Sequence, residues 1–152
     1  MNPSTLAAAL VLFCGSLSSC ASGPEYNSIA DRIPPVPEHC GRIYFFRTSS
    51  MGTLVHPEVS LNGEVVGKSV PGGFFFVDEA AGDYEVGIAG AWKPKWKLHV
   101  DERQTSYVET FIQFEVIDSY PVARLVDSAA GDAAVHGLQY TGHELPALKP
   151  AQ

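Results

Sequence analysis

From residue 41 to residue 127 the chain is a succession of short segments suited to strands, each closed by turn-forming residues. Residues 41–47 (GRIYFFR) are dense in side chains that fit a pleated surface. In 58–62, Val59 and Leu61 share one face, and Asn62-Gly63 follows as a hairpin signal, because both central residues of a type I′ turn need positive φ. Residues 64–70 return from that turn, and Pro71-Gly72-Gly73 breaks the chain before 74–79. Residues 83–90 alternate cleanly, with Tyr84, Val86 and Ile88 on one side. Residues 95–101 and 106–115 read as a second hairpin around Glu102-Arg103-Gln104, and 120–127 is the last clear strand. No stretch beyond residue 20 keeps a helical period over the roughly 11 to 18 residues needed to assign a helix. Strands spaced about ten residues apart, with turns between, predict an all-β fold: a single antiparallel β-sandwich of about seven to eight short strands.

The flanks are different in kind. Residues 21–39 hold Pro24, Pro34, Pro35 and Pro37 and, apart from Tyr26, Ile29, Ile33 and Val36, offer little to bury. Such a segment predicts a semi-rigid extended tether at about 3.1 Å per residue, long enough to hold a domain on the order of 50 Å from its attachment point. A helical turn is expected within 27–33. After Asp127, residues 128–134 are small and read as flexible, 135–140 are a candidate edge strand, and 145–152, with Pro146 and Pro150, read as a flexible tail. The expected domain is therefore 40–144.

The N-terminus carries an address. Residues 6–14 (LAAALVLFC) form an apolar run of nine, followed by Gly15-Ser16-Leu17-Ser18-Ser19-Cys20. A membrane-spanning helix needs about 20 apolar residues, whereas this run fits the h-region of a signal peptide with a small-residue cleavage site behind it. Leu17-Ser18-Ser19-Cys20 resembles the lipobox of bacterial lipoproteins, which implies cleavage after Ser19, a signal peptide of 1–19 and acylation of Cys20. An ordinary secretory signal is the alternative, and the absence of Lys and Arg from residues 1–5 departs from the usual pattern. In lipoproteins of two-membrane bacteria a residue such as Ala21 after the cysteine favours the outer membrane, so the resemblance implies anchorage there, facing the periplasm. One acyl chain binds a bilayer marginally and two or more bind stably.

All charged side chains lie beyond Cys20, so the formal charge of −7 belongs to that part. This argues against a nucleic-acid partner, which calls for a cationic surface that displaces phosphate counterions, and against a polybasic grip on membranes. Of the three cysteines, Cys14 leaves with the signal and Cys20 takes the lipid, so Cys40 stands alone and no intramolecular disulfide is available.

Two stretches carry a further resemblance. Gly41-Arg42-Ile43-Tyr44-Phe45-Phe46-Arg47 resembles the G-x-I-Y-F-[YF]-R opening of a domain-of-unknown-function family of small bacterial lipoproteins. Leu61-Asn62-Gly63-Glu64-Val65-Val66-Gly67 and Ala81-Gly82-Asp83-Tyr84-Glu85-Val86 resemble the hairpin and strand that follow there, and also the PEGA-type β-sandwich repeat of bacterial surface proteins, with Ala81 where that pattern prefers proline. The resemblance implies a compact β-sandwich in the cell envelope. It brings no assigned activity, cofactor or active-site residue.

Trp92-Lys93-Pro94-Lys95-Trp96-Lys97 is the one cluster with binding chemistry: exposed indole rings stack on sugars, and lysines attract anions. Strand parity offers another account. In a strand Trp92, Pro94, Trp96, Leu98 and Val100 share one face and Lys93, Lys95, Lys97 and His99 the other, which is an apolar core face backed by a basic solvated one. Trp92, Lys93 and Lys95 are accordingly the candidate ligand-binding residues, with Trp92, beyond Pro94, the more exposed indole. The histidines His39, His56, His99, His136 and His143 have no zinc-ligand spacing. Asp78-Glu79 and Asp101-Glu102 are adjacent carboxylates at strand ends rather than a converging acid–base pair. The loop Ser49-Ser50-Met51-Gly52-Thr53 reads as a flexible connection. With no nucleophile–base constellation, no metal site and no cofactor motif, the expectation is a non-enzymatic envelope lipoprotein that binds or scaffolds another envelope component. The alternative is a small-ligand or glycan module built on residues 92–97.

Overall fold

The computed structural model describes residues 21–91 and 95–145. Its elements in chain order are helix α1 (Tyr26–Ile29), a 3-10 turn (Ala30–Arg32), strands β1 (Cys40–Arg47), β2 (Glu58–Leu61), β3 (Glu64–Lys68), β4 (Gly73–Ala80), β5 (Gly82–Ile88), β6 (Lys95–Val100), β7 (Thr105–Phe114) and β8 (Ser119–Val126), helix α2 (Ser128–Val135) and strand β9 (Gln139–Tyr140). One sheet has the order β8-β7-β1-β4-β9 and the other β3-β2-β5-β6. The fold is an all-β sandwich, as the alternation predicts. The eight expected strands are all present, and the candidate edge strand becomes β9.

Strand β1 organises the larger sheet. Every residue from Gly41 to Arg47 is buried, without alternation. A continuous run of this kind marks a strand covered on both faces. Ile43 and Phe45 point at the smaller sheet, and on that face Phe45 stacks on its β4 neighbour Phe75 at 5.1 Å. Tyr44 points the other way and stacks on Tyr107 at 5.3 Å, with Phe74 and Phe76 beside it. This second face lies under α1 and α2. Tyr26 contacts Phe74 and stacks on His136, while Ile29, Val135 and Leu138 join the same core.

The flanks differ from the tether and tail that the sequence predicts. The segment 20–39 is not a free tether over its described part: the Ala21 amide donates to Pro71 O, the Tyr26 amide to Leu138 O, and Tyr140 donates back to Pro24 O. Ile29 is only 1 % exposed. The segment runs along the outer face of the sheet, from Pro71 at one end of the sandwich to His39, which accepts from the Ala81 amide, at the other. Of its apolar side chains, Tyr26, Ile29 and Ile33 close a face that β1 cannot leave wet. The domain therefore begins by Ala21 rather than at residue 40.

Residues 128–134, expected to be flexible, are helical. Asp127 caps α2 by accepting from the Ala129 and Ala130 amides, and eight residues are too short to show a period. Gly131 is required here, because a Cβ on it would sit 2.3 Å from the Tyr107 side chain. The Tyr107 hydroxyl then donates to Asp132 at 3.0 Å. At the C-terminus Leu145 is buried and its carbonyl accepts from Arg32, so the expected tail does not start there; residues 146–152 lie outside the described part.

Two pairings also differ. The sandwich is not purely antiparallel, since β1 runs parallel to β7 and β4 to β9. The expected hairpin of β6 and β7 does not form, because the two strands belong to different sheets. The turn between them, with Arg103 at φ 58°, carries the chain across the sandwich and docks on the start of β1: Arg103 N donates to Cys40 O, and Arg42 N to Gln104 O. Alternating segments on either side of a short turn look the same whether the turn folds back or crosses over. The Asn62-Gly63 turn does have the expected conformation, with φ of 50° and 87°.

If the 21–39 segment is part of the core, Ile29→Ala should cost about 2–5 kcal/mol, the usual range for truncating a buried Ile to Ala. Urea denaturation checks this; a loss under about 0.5 kcal/mol would return the segment to the status of a tether.

Candidate functional site

The two ends of the sandwich differ, and the difference begins with Arg47. It closes β1 on the face toward the smaller sheet and is fully buried. Its guanidinium has five N–H donors and no acceptor. The Nε donates to Ser49 O, Nη1 to Val55 O and Ser69 O, and Nη2 to Met51 O and Gly52 O. Backbone carbonyls thus solvate the charge, and burial pulls the Arg47 pKa below that of a free arginine. The loop 48–57 is consequently shaped around a cation rather than being a flexible connection. Behind it the Ser69 and Thr110 hydroxyls share a hydrogen bond of 2.8 Å, and Thr110 donates to Phe46 O.

At this same end the sheets part around a pocket of about 480 Å³. Val86 and Ile88 of β5 and Trp96 of β6 form one wall, and Pro121, Val122 and Ala123 of β8 the other. Lys95, Gln113 and Tyr120 supply its polar lining. The pocket stands between two edge strands: β6 ends the smaller sheet and β8 the larger. Pro121 is tolerated in β8 because an edge strand leaves one row of ladder positions unused. The Tyr120 hydroxyl donates to Glu115 at 2.7 Å, and that bond raises its pKa.

Trp96 takes the core face that strand parity predicts. It pairs with Val86 across the strands and packs against the core, with Leu98 and Val100 buried on its face and Lys95, Lys97 and His99 exposed on the other. It is also half-buried, and its ring is a wall of the pocket. Its indole Nε1 is shielded from solvent and has no hydrogen-bond partner. A buried donor left unpaired costs about 1–3 kcal/mol.

Of the other candidates, Lys95 is exposed and its ammonium meets Glu85 at 2.6 Å. Trp92 and Lys93 lie outside the described residues, as do Leu17, Ser18, Ser19 and the lipidation candidate Cys20. Among the described residues no group of three or more His, Cys, Asp or Glu side chains is placed to hold a metal. His39 pairs with Glu102, and His99 with Asp83 and Asp101. The bond to Asp83 raises the His99 pKa, with Asp101 adding to it. Asp78, read from sequence as a carboxylate at a strand end, accepts a bidentate pair from Arg42, both bonds 2.7 Å long, and Arg42 lies over the Phe76 ring.

Arg47 and the pocket were missed in sequence. An arginine closing an apolar run looks like a strand end meeting water, and the pocket walls come from four separate strands. A comparison with protein-family models, one with curated proteins and one with solved structures each find no match for this chain.

Replacing Arg47 by Met keeps an apolar stem but leaves the five carbonyls without their donor. The expected cost is at least about 1–3 kcal/mol, the penalty of leaving a buried polar group unpaired, together with new proteolytic cutting inside 48–57. Arg47→Lys should recover only part of it, having three donors for five acceptors. Thermal melts with limited proteolysis test this, and an uncut loop at parental stability would contradict it.

Proposed function

We propose that this chain is a non-enzymatic cell-envelope lipoprotein, anchored through an acylated Cys20 at the outer membrane and facing the periplasm. Its role is to bind another envelope component in the pocket between the two sheets. The observation that carries the binding role is the apolar pocket of about 480 Å³ between Val86, Ile88 and Trp96 on one side and Pro121, Val122 and Ala123 on the other. Ligand pockets span about 300–1,000 Å³ and combine apolar walls with a few placed polar groups. An apolar group would fill the walls, with Gln113 of the lining available to a polar atom on it. The anchor is supported by Leu17-Ser18-Ser19-Cys20 behind an uncharged apolar run, and the same family resemblance in 41–47 and 61–86 agrees with it. The glycan alternative is less well supported. Lys95 is engaged by Glu85, and Trp96 is set into an apolar wall rather than offered as an open stacking face.

A photo-crosslinking amino acid at Gln113, on the pocket lining, should capture a distinct envelope component in intact cells. The same group at Val65, exposed on the far edge strand β3, should not. Equal capture from both positions defeats the binding role. Palmitate labelling that is lost in Cys20→Ser supports the anchor, and labelling that survives refutes it.

A further inference from the structure

We infer that the Arg47 end of the sandwich lies flush against the lipid bilayer and dips apolar side chains into it, an inference that rests on the lipid anchor proposed above. Three independent features of the fold converge on this end. The first is where the chain enters the domain. The Ala21 amide is bonded to Pro71 O in the turn before β4, and β4 starts with Gly73, the register partner of Arg47. Consecutive Cα atoms are about 3.8 Å apart, so an acyl group on Cys20 is delivered at this end with no spacer.

The second feature is exposed apolar surface. Loop 48–57 and the turn joining β7 to β8 both project from this end, because β7 runs parallel to β1 and continues beyond it. Val116 is 102 % exposed, Ile117 97 % and Leu54 88 %, and Met51, Val55 and Phe114 are about half exposed. Arg47 holds the carbonyls of Met51, Gly52 and Val55 from inside, which turns the loop's apolar side chains outward. Large apolar groups gathered at one end of a water-soluble domain mark an interaction surface. Apolar side chains set into the headgroup boundary bind in proportion to the area they bury.

The third feature is charge. The opposite end collects Glu38, Asp83, Asp101, Glu102 and Asp127, relieved by Arg103, His39 and His99. Loop 48–57 and residues 69–73 hold no acidic residue; Glu58, which begins β2 here, stands across from Lys68, and Lys95 pairs with Glu85. Glu115 and Asp118 flank the β7–β8 tip, where their hydrogen-bond donors are the neutral Tyr120 hydroxyl and the Ser119 amide. Anionic lipid would therefore repel the opposite end more strongly than this one. A second copy of the chain could cover the same patch, but it would leave the lipid attachment at this end unexplained.

The test uses the full-length acylated protein in vesicles of phosphatidylethanolamine and phosphatidylglycerol, with Cys40→Ala and a fluorophore on Ile117→Cys, Leu54→Cys or, at the opposite end, Glu102→Cys. Brominated lipids should quench the labels at 117 and 54 at least twofold more than that at 102. If the protein floats with vesicles but all three labels are quenched alike, the anchor stands and the flush geometry is overturned. If the protein carries no lipid and does not float, the anchor proposal fails, and Cys20→Ser chains at high vesicle concentration decide the surface: selective quenching at 117 upholds it, and none overturns it. A label at 117 that shifts with protein concentration, without lipid, assigns the patch to a second copy and overturns the proposal.

Discussion

Burying strand β1 on both faces obliges the chain to provide two covers, and most of the architecture follows from that obligation. The smaller sheet covers Ile43 and Phe45. The outer cover, over Tyr44, Phe74 and Tyr107, is assembled from the two ends of the described chain: α1 with Ile29 from one side, α2 and β9 from the other. Neither cover is large. The outer one depends on Ile29, Val135 and Leu138, and on the close approach of Gly131 to Tyr107. Because α1 and β9 hold each other through Tyr26, Pro24 and Tyr140, the chain's start is fixed beside Pro71 and its entry point is set.

That entry point links fold to function. The same end carries the carbonyl cage around Arg47, the pocket beside Trp96 and the exposed side chains of loop 48–57 and the β7–β8 tip. A domain anchored there, without a spacer, would present its pocket mouth close to the membrane and its acidic end to the periplasm. An envelope component reaching the pocket would then do so near the bilayer, which suits the apolar walls better than a sugar would.

Much of the fold was legible because strands announce themselves by parity. Asp83 to Gly90 and Lys95 to Val100 show the expected faces, and Asn62-Gly63 turns as its composition demands. The failures share a cause. The unbroken run from Gly41 to Arg47 was itself a sign that both faces needed covering, and the prolines of 21–39 drew attention from Ile29. The helical turn expected within 27–33 is present as α1 and the 3-10 turn after it, but an eight-residue helix such as α2 is below the length at which periodicity speaks, although Asp127 before Ser128 was a capping signal. Of the candidate site, Trp96 was visible by parity. Arg47 was not, because whether an arginine meets water or five carbonyls is decided by a loop that local pattern leaves open.

The most direct test of this account is equilibrium urea unfolding of two chains, one starting at Ala21 and one at Glu38. The account predicts a single cooperative transition for the first. For the second it predicts a loss of about 3 kcal/mol or more, since removal of Ile29 alone exposes a core position, with the freed aromatic face binding an apolar dye. Identical midpoints and slopes for the two chains would mean that β1 needs no outer cover from residues 21–37, and would contradict the account at its base.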